Sequence, residues 1–292
     1  MNMKEVPAAV SVKNVLSTVV AVVMLITGCA GGAAGASGNG SRAKVKTGES
    51  SNVRPISDVM ERVFTSEEHL HIKLIGDSIT QGVGSSDYSP TGEVVVKHNP
   101  KNWSRNVGEK SWAAMLKKRL ESEYDVTVTN NGIRGVSTHQ ILYFWDELVD
   151  GSEDIAIVML GTNNRTIDDE KNFKYTTDTL YEELQEIKDR LEANGTQVIF
   201  MSAGPVSDRN EEVNGKHFHM KDVEEVIHRF AEDNEMEYIS IYEKVYDYMY
   251  LTDTEIDALL ADGIHPNDKL HRMYYKWICE GLGLSRETGS EV

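Results

Sequence analysis

The chain has 292 residues, 26% of them charged, with 47 acidic against 30 basic residues and a formal net charge of −17. That length allows one α/β domain with a sizeable core plus extensions, and the acidic balance argues against nucleic acid, whose binding needs a basic patch, and against bare anionic membrane surface. Two cysteines, Cys29 and Cys279, provide no disulfide framework, and a neutral or weakly charged substrate is the expected partner.

Residues 1–13 carry Lys4 and Lys13 against Glu5, and Val15–Ile26 is almost wholly apolar. That run is shorter than the roughly 20 residues a membrane-spanning helix needs and suits the apolar segment of a secretory signal. It ends in Leu25-Ile-Thr-Gly-Cys29, which resembles a bacterial lipobox. The resemblance implies cleavage before Cys29, lipidation of its thiol, and an extracytoplasmic protein whose membrane contact is the lipid anchor. Loss of residues 1–28 makes the chain one unit more negative. From Cys29 to about residue 53 the sequence is Gly, Ala and Ser with a few charges, too poor in apolar residues for a core, and reads as a tether. The folded domain is expected over residues 54–292, with a short helix within Arg54–Thr65.

Leu70-His-Ile-Lys-Leu-Ile-Gly76 alternates apolar and polar residues before turning wholly apolar, which predicts a strand. Asp77 and Ser78 follow at its end. In a parallel sheet that edge gathers ligands and functional side chains, although Gly-Asp-Ser alone also reads as a turn. Residues 82–110 show little periodicity and read as one long functional or mobile loop, with Tyr88, His98 and Trp103 as pocket-lining candidates or loop pins.

A helix is predicted from Ser111 to Tyr124 with Trp112, Met115, Leu116 and Leu120 inward. A strand from Val126 enters the glycine-rich turn Asn131-Gly-Ile-Arg-Gly135, and one helix is expected over Ser137–Val149, capped by Ser137. Ile155–Leu160 is the continuous apolar run of a central strand, ending in Gly161-Thr-Asn-Asn164. A helix with Leu180, Leu184, Ile187 and Leu191 inward ends at Gly195. Then come a strand at Val198–Met201, a helix with Val223, Val226, Ile227 and Phe230 inward, and a fifth strand at Tyr238–Tyr242. Asp262-Gly-Ile-His-Pro266 precedes a last helix reaching about Leu282, with Pro266 as its first residue. Cys279 sits in that helix as a small buried hydrophobe. Strands alternating with helices predict a parallel sheet covered on both faces.

Gly76-Asp-Ser-Ile-Thr80, Gly132-Ile-Arg-Gly135, Gly161-Thr-Asn163 and Asp262-Gly-Ile-His265 occur in the order of the four sequence blocks of the GDSL/SGNH hydrolases, and the chain resembles that family over nearly all of its globular part. Each block alone has an ordinary structural reading: a turn, a turn glycine, a loop asparagine, a helix cap beside a surface histidine. Together they match one chemistry. Ser78 needs a base to become nucleophilic; His265 is the candidate base, because imidazole as a group titrates near neutral pH; Asp262, three residues earlier, can orient it.

The resemblance implies a flavodoxin-like three-layer α/β/α sandwich of about five strands that works without metal or cofactor. It implies oxyanion donors on the backbone of Ser78 and Gly135 and on the side chain of Asn163. Gly132 is the rival to Gly135. Family members often carry aspartate after the oxyanion asparagine; here Asn164 stands in its place, which puts a supporting hydrogen bond in question. Such proteins, lysophospholipase-like and carbohydrate-esterase-like alike, hydrolyse esters or thioesters. The expected function is serine-esterase O-deacetylation of a carbohydrate, with lipid-ester or thioester hydrolysis as the alternative and a silent glycan-binding protein as a reading from another class. The pairs His69/His71 and His217/His219 fall in no metal-ligand motif and read as solvated or loop histidines.

Overall fold

The computed structural model describes residues 53–98, 101–166, 175–212 and 217–284. Residues 1–28, Cys29 and the tether lie outside the described residues.

Helix α1 (Ile56–Thr65) leads into strand β1 (Leu70–Gly76), which breaks at Asp77 into the four-residue helix α2 (Ser78–Gln81). An antiparallel hairpin, β2 (Val94–His98) and β3 (Lys101–Ser104), follows. Next come α3 (Trp112–Glu123), β4 (Val126–Gly132), α4 (Thr138–Tyr143) and α5 (Trp145–Leu148). β5 (Ile155–Met159) runs into a 3-10 turn, Thr162–Arg165. The rest is α6 (Thr177–Ala193), β6 (Gln197–Ser202), α7 (Asp208–Glu212), α8 (Met220–Asp233), β7 (Tyr238–Ser240), α9 (Ile241–Thr252) and α10 (Asp268–Gly281).

The main sheet has the order β4-β1-β5-β6-β7, and every neighbouring pair is parallel. The chain leaves β1 for β4 on one side and then crosses to β5 on the other. That reversal places the topological switch point at the C-terminal end of β1, the usual ligand site of an open parallel sheet. β5, in the centre, is buried along its whole length, as its unbroken apolar sequence requires. Both faces are covered. Phe200 of β6 meets Phe230 of α8 edge to face at 4.8 Å, while Ile239 of β7, on the opposite side of the pleat, touches α10 at Gly281. Helices α6 and α8 pack together on the first face, and α3 packs against α10 on the second. The result is the expected α/β/α sandwich.

Four local expectations need correction. Residues 82–110 are not one irregular loop, because Val96, fully buried, gives the β2–β3 hairpin an apolar anchor. The helix expected over Ser137–Val149 is two helices, broken at Phe144, whose ψ of 21° departs from helix values. The last strand stops at Ser240, whose hydroxyl accepts from the N–H of Glu243 and starts α9, a serine-x-x-glutamate signature readable in the sequence. Pro266 precedes the last helix instead of opening it, and Asn267 is the cap, accepting from the N–H groups of Lys269 and Leu270.

On the polar side of β1, His71 is exposed and Lys73 is buried. Lys73 is 5% exposed and its ammonium lies 2.9 Å from Glu153 and 3.2 Å from Asp150. Half-sequestered charges of this kind hold together because removing one partner strands the other in low dielectric.

Candidate active site

Asp77 builds the nucleophile position. Its Oδ1 accepts from the N–H of Ile79 at 2.9 Å and caps α2, so Ser78 is the helix's first residue. The N–H groups of a first helical turn have no intrahelical acceptor, and the backbone N–H of Ser78 is one of them. The Ser78 hydroxyl, on a residue 5% exposed, lies 2.9 Å from Nε2 of His265.

His265 comes from the segment between α9 and α10, 187 residues from Ser78 in sequence. That loop is closed by backbone hydrogen bonds from Ala261 N–H to His265 O and from Asn267 N–H to Leu259 O. Asp262 Oδ1 accepts from the N–H groups of Ile264 and His265 at 3.1 and 2.9 Å, while Oδ2 lies 2.7 Å from His265 Nδ1. One carboxylate therefore shapes the turn with one oxygen and orients the imidazole with the other. A proton on Nδ1 facing Asp262 leaves Nε2 as an acceptor for the Ser78 hydroxyl. Burial pushes the Asp262 carboxyl up, but the N–H and ring of His265 outweigh it and hold the group below the usual carboxylate range. Farther along, Asp268 accepts from both the N–H and the hydroxyl of Ser86 at 2.7 Å, tying the start of α10 to the segment after α2.

Beside Ser78 run the segment following β4 and the 3-10 turn following β5. Gly135 has φ of +79°, in the left-handed region that favours glycine. Asn163 Nδ2 donates to Val136 O at 2.8 Å, which commits one amide hydrogen and leaves the other. Gly132 plays a different part. Its N–H is already used by Asn130 Oδ1, and a Cβ there would lie 2.3 Å from the backbone nitrogen of Gln81. It is glycine so that β4 can pack against α2.

The structure thus brings Ser78, Asp262 and His265 into one hydrogen-bonded chain, and links the Gly135 segment to Asn163. Asn164, in the position where the family's aspartate was expected, is fully buried and hydrogen-bonded on both sides of its amide to Thr138. Sequence reading missed the charge below the nucleophile. Asp77 is 1% exposed, and burial pushes its carboxyl up to about 6 against the opposing effects of the Ile79 N–H and the His265 and Arg165 charges. Arg165, equally buried, is paired with Glu211 at 2.8 Å. No motif signals such pairs, because they join residues 46 apart.

The long 82–110 segment frames one side of the site. Gln81 Nε2 donates to Ser104 O and Tyr88 donates to Gln81 Oε1, both at 2.9 Å. Trp103 Nε1 donates to Arg134 O. His98, Trp103, Phe144 and Tyr143 form an aromatic group with centroids 5.0–6.4 Å apart, and Tyr143 is 64% exposed. A cavity of about 390 Å³ lies elsewhere, under the hairpin between Lys73, Arg105 and Glu153, and neither Ser78 nor His265 lines it. Of the histidine pairs, His69 contacts Asp125 and Thr127 and His71 packs edge-on against His69, whereas the N–H of His217 donates to Arg165 O at 2.9 Å and His219 Nδ1 lies 3.2 Å from Glu211.

Residues 74–273 match the model of the GDSL-like lipase/acylhydrolase family. A comparison with curated protein sequences returned no match. Solved structures of similar shape include the acetylxylan esterase Axe2 from Geobacillus stearothermophilus, 20% identical over 75% of this chain and 97% of that one, with a TM-score of 0.56. The α/β hydrolase LAE5 from the metagenome of Lake Arreo, Spain, is 20% identical over 74% and 97%, with a TM-score of 0.56. The acetyl xylan esterase AlAXEase is 17% identical over 72% and 98%, with a TM-score of 0.52.

Proposed function

The chain belongs to the GDSL-like lipase/acylhydrolase family, whose members are serine ester hydrolases, and from that premise we propose that Ser78, His265 and Asp262 form its catalytic triad and that it removes O-acetyl groups from a carbohydrate. The observation that carries the triad is the 2.9 Å contact between Ser78 Oγ and His265 Nε2, with Asp262 on the opposite ring nitrogen.

Ser78 Oγ attacks the acyl carbon while His265 Nε2 takes its proton, and Asp262 stabilises the imidazolium that forms. The carbonyl oxygen becomes an oxyanion facing the N–H of Ser78, the N–H of Gly135 and the remaining amide hydrogen of Asn163. Such donors act where charge develops, and losing one typically costs about 3 kcal/mol of transition-state stabilisation. The tetrahedral species collapses as His265 returns the proton to the leaving alcohol. Water, activated by the same histidine, then releases the acid from Ser78.

Three features favour a glycan ester. Two of the similar structures are named as acetylxylan esterases. The site is open on the Asp262 side, whose side chain is 52% exposed. The exposed ring of Tyr143 in the group with Trp103 offers an aromatic face, amphipathic and rigid, of the type that sugar C–H groups stack on. An intact triad argues against a silent binding protein. We further propose, from the lipobox-like Leu25–Cys29, that the enzyme acts outside the cytoplasm on a lipid tether.

The test is hydrolysis of nitrophenyl esters of increasing acyl length beside acetylated xylo-oligosaccharides, with Ser78→Ala as control. Activity on acetyl substrates that vanishes in Ser78→Ala is the expected result. Preference for long acyl chains would replace the deacetylase reading by lipid-ester hydrolysis.

A further inference from the structure

We infer that Asn164 is a positioning residue for the oxyanion site and that Glu183 is the reason an asparagine stands there. The inference rests on reading Gly135 and Asn163 as oxyanion donors.

Two pieces of chain carry those donors. The segment after β4 holds Gly135 and runs through Val136 and Ser137 into α4 at Thr138. The 3-10 turn after β5 holds Asn163. Two side-chain links join them. Asn163 Nδ2 donates to Val136 O, and Asn164 pairs with Thr138: the Thr138 N–H donates to Asn164 Oδ1 at 3.2 Å and Asn164 Nδ2 donates to Thr138 Oγ1 at 2.5 Å. Both Asn164 and Thr138 are fully buried. The Asn164 link spends no group needed by substrate, so it fixes the separation of the two donors independently of what is bound.

Proton accounting decides which side chain fits position 164. A backbone N–H only donates, so the atom of residue 164 that faces Thr138 N–H must be an oxygen. The Thr138 hydroxyl has one hydrogen, and it is directed to Glu183 Oε2. A carboxylate accepts only, so Thr138 Oγ1 turns lone pairs towards residue 164 and requires a donor there. Asparagine supplies an acceptor and a donor at those two places. Aspartate would set an oxygen against an oxygen and put a second carboxylate on the hydroxyl already held by Glu183. Glu183, 12% exposed at its side chain, has its other oxygen 3.1 Å from His139 Nδ1. The negative charge of the network thus sits at 183, one hydrogen bond farther from the oxyanion site than position 164.

The experiment is a double-mutant cycle of Asn164→Asp and Glu183→Gln, with kcat and KM measured on nitrophenyl acetate and melting followed for each protein. Asn164→Asp is expected to lower kcat about 10–100-fold with KM changed by less than about twofold, since a misplaced donor costs transition-state and not ground-state stabilisation. Glu183→Gln alone is expected to cost only a few-fold. In the double variant the new amide at position 183 donates to Thr138 Oγ1 and frees the Thr138 hydroxyl to donate to the new carboxylate at position 164. The kcat should then recover at least about tenfold over Asn164→Asp. Full activity in Asn164→Asp, or a double variant no better than it, would overturn the proposal. If Asn164→Asp proves too unstable to assay, the rescue is read in the melting temperature, and a double variant that melts no higher counts against the coupling. Asn163→Ala separates the underlying reading: unchanged kcat there removes Asn163 from the oxyanion site, while the Asn164–Glu183 coupling still stands or falls on the melts.

Discussion

The indole N–H of Trp103 donates to the carbonyl oxygen of Arg134 at 3.3 Å. That carbonyl belongs to the same planar trans peptide as the N–H of Gly135, and the two groups point in opposite directions. Trp103 therefore holds from behind the peptide proposed to face the oxyanion. Trp103→Phe keeps the ring and deletes the donor. It is expected to lower kcat roughly 3–10-fold with little change in KM, measured on nitrophenyl acetate. A loss confined to KM would show that Trp103 only touches substrate.

Asp77 predicts a trade of stability against activity. Its folded value of about 6 lies above its ordinary 3.8, so the native state binds the extra proton. For a raised carboxyl the stability is greatest below the unfolded value, falls as pH rises from about 4 to about 6, and stays reduced at neutrality. Asp77→Asn keeps the oxygen that caps α2 and removes the buried charge. Its new amide lies beside the Thr162 hydroxyl, which faces Asp77 but falls short of hydrogen-bond geometry and has no other partner. The variant should gain about 2 kcal/mol at pH 7 and little at pH 4, a rise of roughly 5 °C in Tm at neutrality. It should also lose several-fold in kcat, because a negative charge facing the nascent His265 imidazolium is gone. Equal melting of both proteins at pH 4 and pH 7 would contradict the assignment.

How much of this was legible in the sequence follows from the range of each interaction. The strand at Leu70–Gly76, the serine at its end and the Asp262-x-x-His265 turn are local patterns, and each was readable from residues within a few positions. The β2–β3 hairpin was not, because only Val96 among the described side chains of its strands is fully buried and one inward residue makes no period. The alternation along β1 does not say where the charge of Lys73 goes; Glu153, 80 residues later, makes it half of a buried ion pair. Phe144, where the helix breaks, packs against His98 and Trp103, neither of them near in sequence. Local chemistry was visible, and what supports it from behind was not.

The acid limb of activity should depend on Asp77. Activity requires neutral His265 as base, and Asp262, held below the usual carboxylate range, stays ionised while His265 takes up its proton. A depressed carboxyl is lost as a partner only when pH falls through its own folded value, below that limb. Asp77 is different: it titrates at about 6 and faces His265. An ionised Asp77 attracts the His265 imidazolium and a protonated one does not, so the two protons bind anticooperatively. Asp77→Asn removes that attraction for good, so the acid limb of log kcat/KM should lie at lower pH in the variant than in the wild type. An acid limb that does not move in Asp77→Asn would mean that the two groups do not interact.

Asp262→Asn tests the orienting role directly. Asp262 Oδ1 accepts from two backbone N–H groups and Oδ2 from the ring. An asparagine can keep Oδ1 on the backbone, but it then presents an amide donor to His265 Nδ1. The imidazole would be driven to the tautomer with its proton on Nε2, where it can no longer accept from Ser78. The expected loss is about 10²–10⁴-fold in kcat, with the fold intact, because the turn-forming hydrogen bonds survive. If kcat falls less than about tenfold while the protein stays folded, Asp262 shapes the loop without orienting the base, and His265 must take its tautomer from the 2.9 Å contact with Ser78 alone.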